Sequence, residues 1–447
     1  MHSRVPLRRL AVAVACLAAV LAGCEGSDSH VDGPKGASAF GNYMAIGTGL
    51  SMGVQSGGVI YESQLQAWPA LLAHAVIPGS RFVVSDTVVS EVVPFRLPLL
   101  RTPGCQPPLV APLQFAVDLS GASIVTIDST CAGAIDSTTP PTSNLALQGA
   151  SAWAALNLTP KTVVNSLAPF SAGDRARYPL VLGSTQSQVT AMRVQAPTFV
   201  SVELGLTEVL GAATSGLLVA ATAYDQAAPY SYVPAAVFAP VFSAIADSVA
   251  RTNAKVVLLS VPKVSGLYAL RPALELWSDS TELATFGITV NADCATSANF
   301  VFTGTLIPAL AAQFAASGTA QSLSCTDVPG AADGILTPAD ITTLDAVVAD
   351  MNAQIQQVAQ QNGWAFADLT GVYPPPVSSR APYTAAEQLT CVYPYGAFVS
   401  LDGVYPSAQG QAAIASTVAS AIDATYGFNI AIGTPSPIGI TAVKLCP

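Results

Sequence analysis

Asn42-Tyr-Met-Ala-Ile-Gly-Thr-Gly-Leu-Ser-Met-Gly-Val-Gln-Ser-Gly-Gly58 decides the fold of this 447-residue chain. Tyr43 to Ile46 reads as a short apolar strand, and Gly47, Gly49 and Gly53 follow it as a loop. An apolar run broken by closely spaced glycines is how a buried parallel strand ends in a tight turn, because glycine lets backbone approach backbone. In open α/β sheets the chemistry sits just outside the carboxyl ends of such strands.

Outward from that stretch, strands and helices alternate. Ser63 to Ala75 reads as a helix and Arg81 to Ser85 as a strand, followed by a Pro-rich surface excursion from Pro94 to Pro112. Asn144 to Ser151 has the form of a strand-to-helix turn. Val200 to Leu204 is a strand, apolar except for Ser201 and Glu203, and Gly205 ends it. A helix over Val233 to Asn253 leads into the apolar strand Lys255 to Pro262. Thr337-Pro-Ala-Asp340 forms a capping box that opens a long helix to Gln361, and Trp364 to Asp368 is the last buried strand. Ala408 to Tyr426 supplies the terminal helix. Such alternation predicts an α/β protein with a mainly parallel sheet covered on both faces. Asp333-Gly334 superficially matches the end of a calcium loop, but Pro329 and Ala331 hold the first ligand positions and offer no side-chain oxygen, so no metal is expected.

Four stretches, in order, resemble the blocks of the SGNH (GDSL) ester hydrolases. In the first block an apolar strand leads into Gly-Asp/Asn-Ser, whose Ser is the nucleophile. Here Gly47 matches the Gly, Thr48 falls on the Asp/Asn, and Gly49 stands at the nucleophile. The second block's Gly, which supplies an oxyanion N–H, is matched by Gly149. In the third, Gly-x-Asn-Asp/Glu, Gly205 and Glu208 hold their places, but the donor Asn is Thr207. The last, Asp-x-x-His-Pro, is read in Leu401-Asp-Gly-Val-Tyr-Pro406, with Asp402 on the acid and Tyr405 on the His. The resemblance implies a flavodoxin-like three-layer α/β/α sandwich over residues 39–430, with loop-rich insertions near 87–143 and 272–335. It also implies a site that has lost its chemistry.

Acyl transfer by serine needs a nucleophile, a base in hydrogen-bond reach and oxyanion donors. Glycine has no side chain to attack with, Thr reaches less far than Asn, and a phenol of ordinary pKa, about 10, is a poor proton acceptor at neutral pH. The chain has three histidines: His2 and His30 near the amino terminus, and His74 late in the first helix, where a surface role fits better than a relocated base. Gly49-Leu-Ser-Met-Gly53 does match Gly-x-Ser-x-Gly, which would make Ser51 a nucleophile. That motif requires a His well downstream, and none follows His74. Ser51 fits a helix N-terminal turn better.

Met1 to Gly23 reads as an export signal: Arg4, Arg8 and Arg9 precede an apolar run from Leu10 to Leu21 too short to span a bilayer. Leu21-Ala-Gly-Cys24 resembles a bacterial lipobox, implying a lipid on Cys24 and a membrane partner. Residues 24–38 read as a flexible tether and 431–447 as a tail. Glu25 after that Cys is compatible with sorting to an outer membrane of the cell envelope. Removing the three signal arginines from 17 Lys and Arg leaves 14 bases against 27 acids, a charge of −13 that argues against nucleic acid as a partner. With Cys16 in the signal and Cys24 lipidated, six of the eight cysteines remain, allowing 15 pairings. Sequential pairs, Cys105–Cys131, Cys294–Cys325 and Cys391–Cys446, each bracket one irregular segment and are preferred to a zinc site, for which spacing and histidines are wanting.

The expectation is therefore a lipid-anchored, catalytically silent SGNH-like protein without a cofactor. It keeps a cleft at Gly49, Gly149, Thr207, Asp402 and Tyr405 for an ester, acyl chain or glycan. The rivals are an esterase acting through Ser51 and a purely structural envelope protein whose protein partner the sequence does not name.

Overall fold

The computed structural model describes residues 36–433 apart from 56–57, 60, 78–94, 98–139, 164–171, 225–230, 376–382 and 390–394. The export signal, Cys24, most of the tether, the strand expected at 81–85, Cys105, Cys131, Cys391 and Cys446 lie outside the described residues.

The elements that carry the site are, in chain order, β1 (Tyr43–Gly47), α1 (Gly49–Met52), α2 (Trp68–Val76), α3 (Ala152–Asn157), α4 (Gln188–Val194), β2 (Phe199–Glu203) and α5 (Thr207–Ser215). They continue with α6 (Ala235–Ala250), β3 (Lys255–Leu259), α7 (Pro338–Asn362), β4 (Ala365–Ala367) and α8 (Ala408–Tyr426). The four strands form one parallel sheet in the order β1-β2-β3-β4, with Tyr43 beside Phe199, Phe199 beside Lys255 and Ala365 beside Val257. Residues 143–147 add an irregular fifth strand outside β1: Ala45 N–H donates to Ser143 O at 2.9 Å, and Leu145 N–H to Ala45 O at 2.8 Å. The second segment in the chain therefore lies on one side of β1 and the third, β2, on the other. The order reverses between β1 and β2, and a crevice at the strand carboxyl ends belongs at that point.

Alternation along each strand divides the interior in two. Met44, Ile46, Val200, Val202, Val256 and Leu258 join one core with α3 to α7. Tyr43, Ala45, Phe199, Val257, Leu259, Ala365 and Ala367 join the other with α2 and α8. Both faces of β1 and β2 are buried, which is why these strands are almost wholly apolar rather than alternating with polar residues. The polar exceptions are paired: Ser201 shares a 2.8 Å hydrogen bond with Tyr43 Oη inside the sheet.

Local signals set the helix ends. The Thr337 hydroxyl accepts from Asp340 N–H, the Asp340 carboxylate accepts in return from Thr337 N–H at 2.8 Å, and Gly363 (φ 66) ends α7. The single helix expected over 63–75 is instead two, Tyr61–Leu65 and α2, separated at Ala67. Pro69 lacks the N–H that a continuous helix would use and fits the first turn of a new one. Within 272–335, Phe300–Phe302 lies between Leu270–Pro272 and Ile335–Leu336 in an antiparallel sheet, and Cys294–Cys325 forms the expected disulfide.

Candidate functional site

The turn after β1 is built around a buried carboxylate. Glu203, the last residue of β2, places Oε2 2.9 Å from Thr48 N, 2.9 Å from Ser51 Oγ and 3.3 Å from Ser51 N, all donors. Oε1 lies 2.9 Å from Thr48 Oγ1. Two N–H groups that a helix N-terminus leaves unpaired thus find their acceptor in a neighbouring strand. Burial pushes the Glu203 carboxyl up to about 7, against the opposing pull of its backbone and hydroxyl donors on Thr48 and Ser51. In the protonated form, an Oε1–H can donate to Thr48 Oγ1 while Oε2 keeps its donors. Sequence reading registers Glu203 only as a polar interruption of an apolar strand. A glutamate in a strand buried on both faces is itself the signal, since such a group must be paired or neutral.

Ser51 is the third residue of α1, and Thr48 is the N-cap. The Ser51 hydroxyl donates to Glu203 and accepts from Trp68 Nε1 at 3.2 Å, and the side chain is wholly buried. Gln411 of α8 clamps the same turn from behind, accepting from Trp68 N–H at 2.9 Å and donating to Leu50 O at 3.0 Å. A hydroxyl held between a carboxylate and an indole inside the core has no approach for an acyl carbon.

Gly49 and Tyr405 are in direct contact. A Cβ added to Gly49 would lie 2.9 Å from Cε1, Cζ and Oη of Tyr405, inside any real carbon contact. Both residues are buried, Tyr405 with 8% of its surface exposed. The ring occupies the space that a side chain at position 49 would need. Asp402 fixes this arrangement through the backbone: its Oδ1 accepts from Val404 N–H and Tyr405 N–H, both at 2.8 Å.

Gly149 and Thr207 belong to a neighbouring part of the same end. Leu147 N–H donates to Gly47 O at 3.1 Å, so the chain reaches Gly149 (φ 75) directly beside the β1 turn. Thr207 opens α5, and Glu208 after it reaches across to α3, accepting from Ala152 N–H at 2.6 Å and from Tyr224 Oη at 2.9 Å. Burial raises the Glu208 carboxyl above its ordinary value. All five positions singled out in sequence, Gly49, Gly149, Thr207, Asp402 and Tyr405, thus stand at the carboxyl end of the sheet. Gly149, Thr207 and Asp402 are half-exposed there, whereas Gly49 and Tyr405 are covered. His74, by contrast, is exposed near the far end of α2, six residues beyond Trp68, and partial burial lowers its pKa.

Among the described residues no group of His, Cys, Asp and Glu is arranged to hold a metal ion, and no helix is long and apolar enough to cross a membrane. The chain matches no protein-family model and no curated protein.

Proposed function

We propose that this chain is a lipid-anchored protein with the flavodoxin-like SGNH architecture that binds rather than hydrolyses. The single observation that carries this reading is the contact between Gly49 and Tyr405: the positions where such a hydrolase keeps its nucleophile and its base are here a residue with no side chain and a ring packed onto it. The strand order, with its reversal between β1 and β2, and the grouping of the five positions at one end support the same architecture. With the space above Gly49 filled, an ester, acyl chain or glycan would lie to the side, along the half-exposed Gly149, Thr207 and Asp402. Hydrolysis through Ser51 is disfavoured by its burial and by the two hydrogen bonds its hydroxyl already makes.

The test uses the full chain with p-nitrophenyl acetate and butyrate and with a fluorophosphonate probe. Turnover at the buffer rate and no covalent labelling are expected. Stoichiometric labelling, or turnover abolished by Ser51→Ala, would overturn the proposal.

A further inference from the structure

The end of the sheet opposite the Gly49–Tyr405 contact has a chemistry of its own. β1, β2 and β3 begin there, and α4 and α6 deliver their carboxyl ends to it. Asn42, just before β1, donates through Nδ2 to the carbonyl of Gln195 just after α4, and Lys255 N–H donates to Thr198 O at 3.1 Å. A depression of about 630 Å³ opens between Gly36, Ala196, Thr198, Asn253, Lys255 and Phe428.

The exposed basic side chains among the described residues are Lys161, Arg193, Arg251, Lys255 and Lys263. Arg193, Arg251 and Lys255 all stand at this end, on a chain whose formal charge is −10. Arg96 joins them, half-exposed and donating to Gln195 Oε1 at 3.3 Å. Of the acids on these elements, Asp423 is committed to Ile430 N–H at 3.0 Å, and Asp247 sits one turn back from Arg251. Apolar groups accompany the cations. Val194 is 61% exposed, and Lys255 Nζ rides 4.6 Å above the Tyr426 ring and 5.7 Å from that of Phe428. Cations interspersed with aromatic and aliphatic groups match the boundary between phosphate headgroups and acyl chains.

The chain enters the fold at this same end, because Gly36 lines the depression. From Cys24 to Gly36 the backbone reaches about 40 Å at full extension. A folded unit of roughly 400 residues is about 50 Å across, so its half-circumference is about twice that reach. A lipid on Cys24 therefore leaves the strand amino ends within easy reach of the bilayer and cannot bring the opposite, Gly49–Tyr405 end against it. We infer that the face formed by Arg193, Val194, Arg251, Lys255 and Phe428 docks on an anionic phospholipid bilayer, an inference that rests on the lipid anchor proposed above.

The test reconstitutes the full lipidated chain on vesicles of phosphatidylcholine, alone or mixed with phosphatidylglycerol, and follows amide hydrogen exchange. Slowed exchange at 193–198, 251–255 and 426–428 is expected only on the mixed vesicles, and it should fade at high salt. Arg193→Gln, Arg251→Gln and Lys255→Gln, all at exposed positions, should each weaken the contact about fivefold without altering the melting temperature. Equal protection on both vesicle types, protection elsewhere such as at the exposed Leu274 and Trp277, or none at all would overturn the docking face. The anchor is read separately, by flotation with vesicles in high salt. A chain that washes off refutes the anchor, and the face is then judged on the same chain by its low-salt association with the mixed vesicles.

Discussion

Replacing Glu203 by glutamine isolates the cost of a carboxylate sealed inside the sheet. Its carboxyl stands at about 7 in the fold against an ordinary 4.5. Below pH 4.5 the group is protonated folded or unfolded and costs nothing. Between there and pH 7 the unfolded chain releases a proton that the folded chain retains, so stability falls as pH rises, and it levels off above pH 7. At 1.36 kcal/mol per pKa unit, the loss across that window is about 3 kcal/mol. Glutamine keeps the shape and can be satisfied: its amide oxygen takes the place of Oε2 before Thr48 N and Ser51, and its NH2 donates to Thr48 Oγ1. Other acids, the buried Glu208 and the half-buried Asp279 among them, shift in the same direction, so the informative quantity is the difference between variant and parent. Urea unfolding should be followed by tryptophan fluorescence, to which Trp68 contributes from beside Ser51. The stability of Glu203→Gln relative to the parent should rise by about 3 kcal/mol between pH 4.5 and pH 8. A difference that stays flat would mean that the donors from Thr48 and Ser51 hold Glu203 ionised throughout, and that burial does not dominate.

The contact between Gly49 and Tyr405 predicts a change of sign. Gly49→Ala should destabilise by about 1–3 kcal/mol in the parent, but should be neutral or favourable by up to about 1 kcal/mol beside Tyr405→Ala, where only helix propensity acts; a double-mutant cycle in urea reads the coupling. Gly49→Ser, Thr207→Asn and Tyr405→His combined should create esterase activity on p-nitrophenyl acetate, whereas each alone should give almost none, because such residues act as a unit. Replacing both Cys294 and Cys325 by Ser opens a loop whose ends are 31 residues apart. The expected cost is about 3–4 kcal/mol, read as a lowered urea midpoint.

The parallel sheet is legible because its strands are short and apolar and the first two run into Gly47 and Gly205, and the long helix because Thr337 and Asp340 cap it reciprocally. Ser63 to Ala75 reads as one helix in sequence, although Pro69 is a residue that favours the first turn of a new one. The residues of the candidate site could be placed in order along the chain, yet their covering could not. That Tyr405 fills the space over Gly49 depends on packing between segments 356 positions apart, for which no local pattern exists. Gln188 and Gln411 carry no sequence signal for a related reason, whereas Glu203 is marked by its place in an apolar strand but its partners are not. Gln188 takes Gly47 N–H at 3.0 Å and returns a hydrogen bond to Gly47 O at 3.2 Å, a role set by tertiary position and not by neighbours in sequence.

The meeting of ring and glycine also constrains how this lineage can change. A serine arriving first at position 49 would collide with the phenol and be selected against for stability before it could contribute any chemistry. A smaller residue arriving first at 405 opens the space but confers nothing until a nucleophile follows. On the reading proposed above, esterase activity could be reached only if position 405 is vacated before position 49 is filled, and that opening step brings no catalytic reward, so the proposed silent state would work as a ratchet.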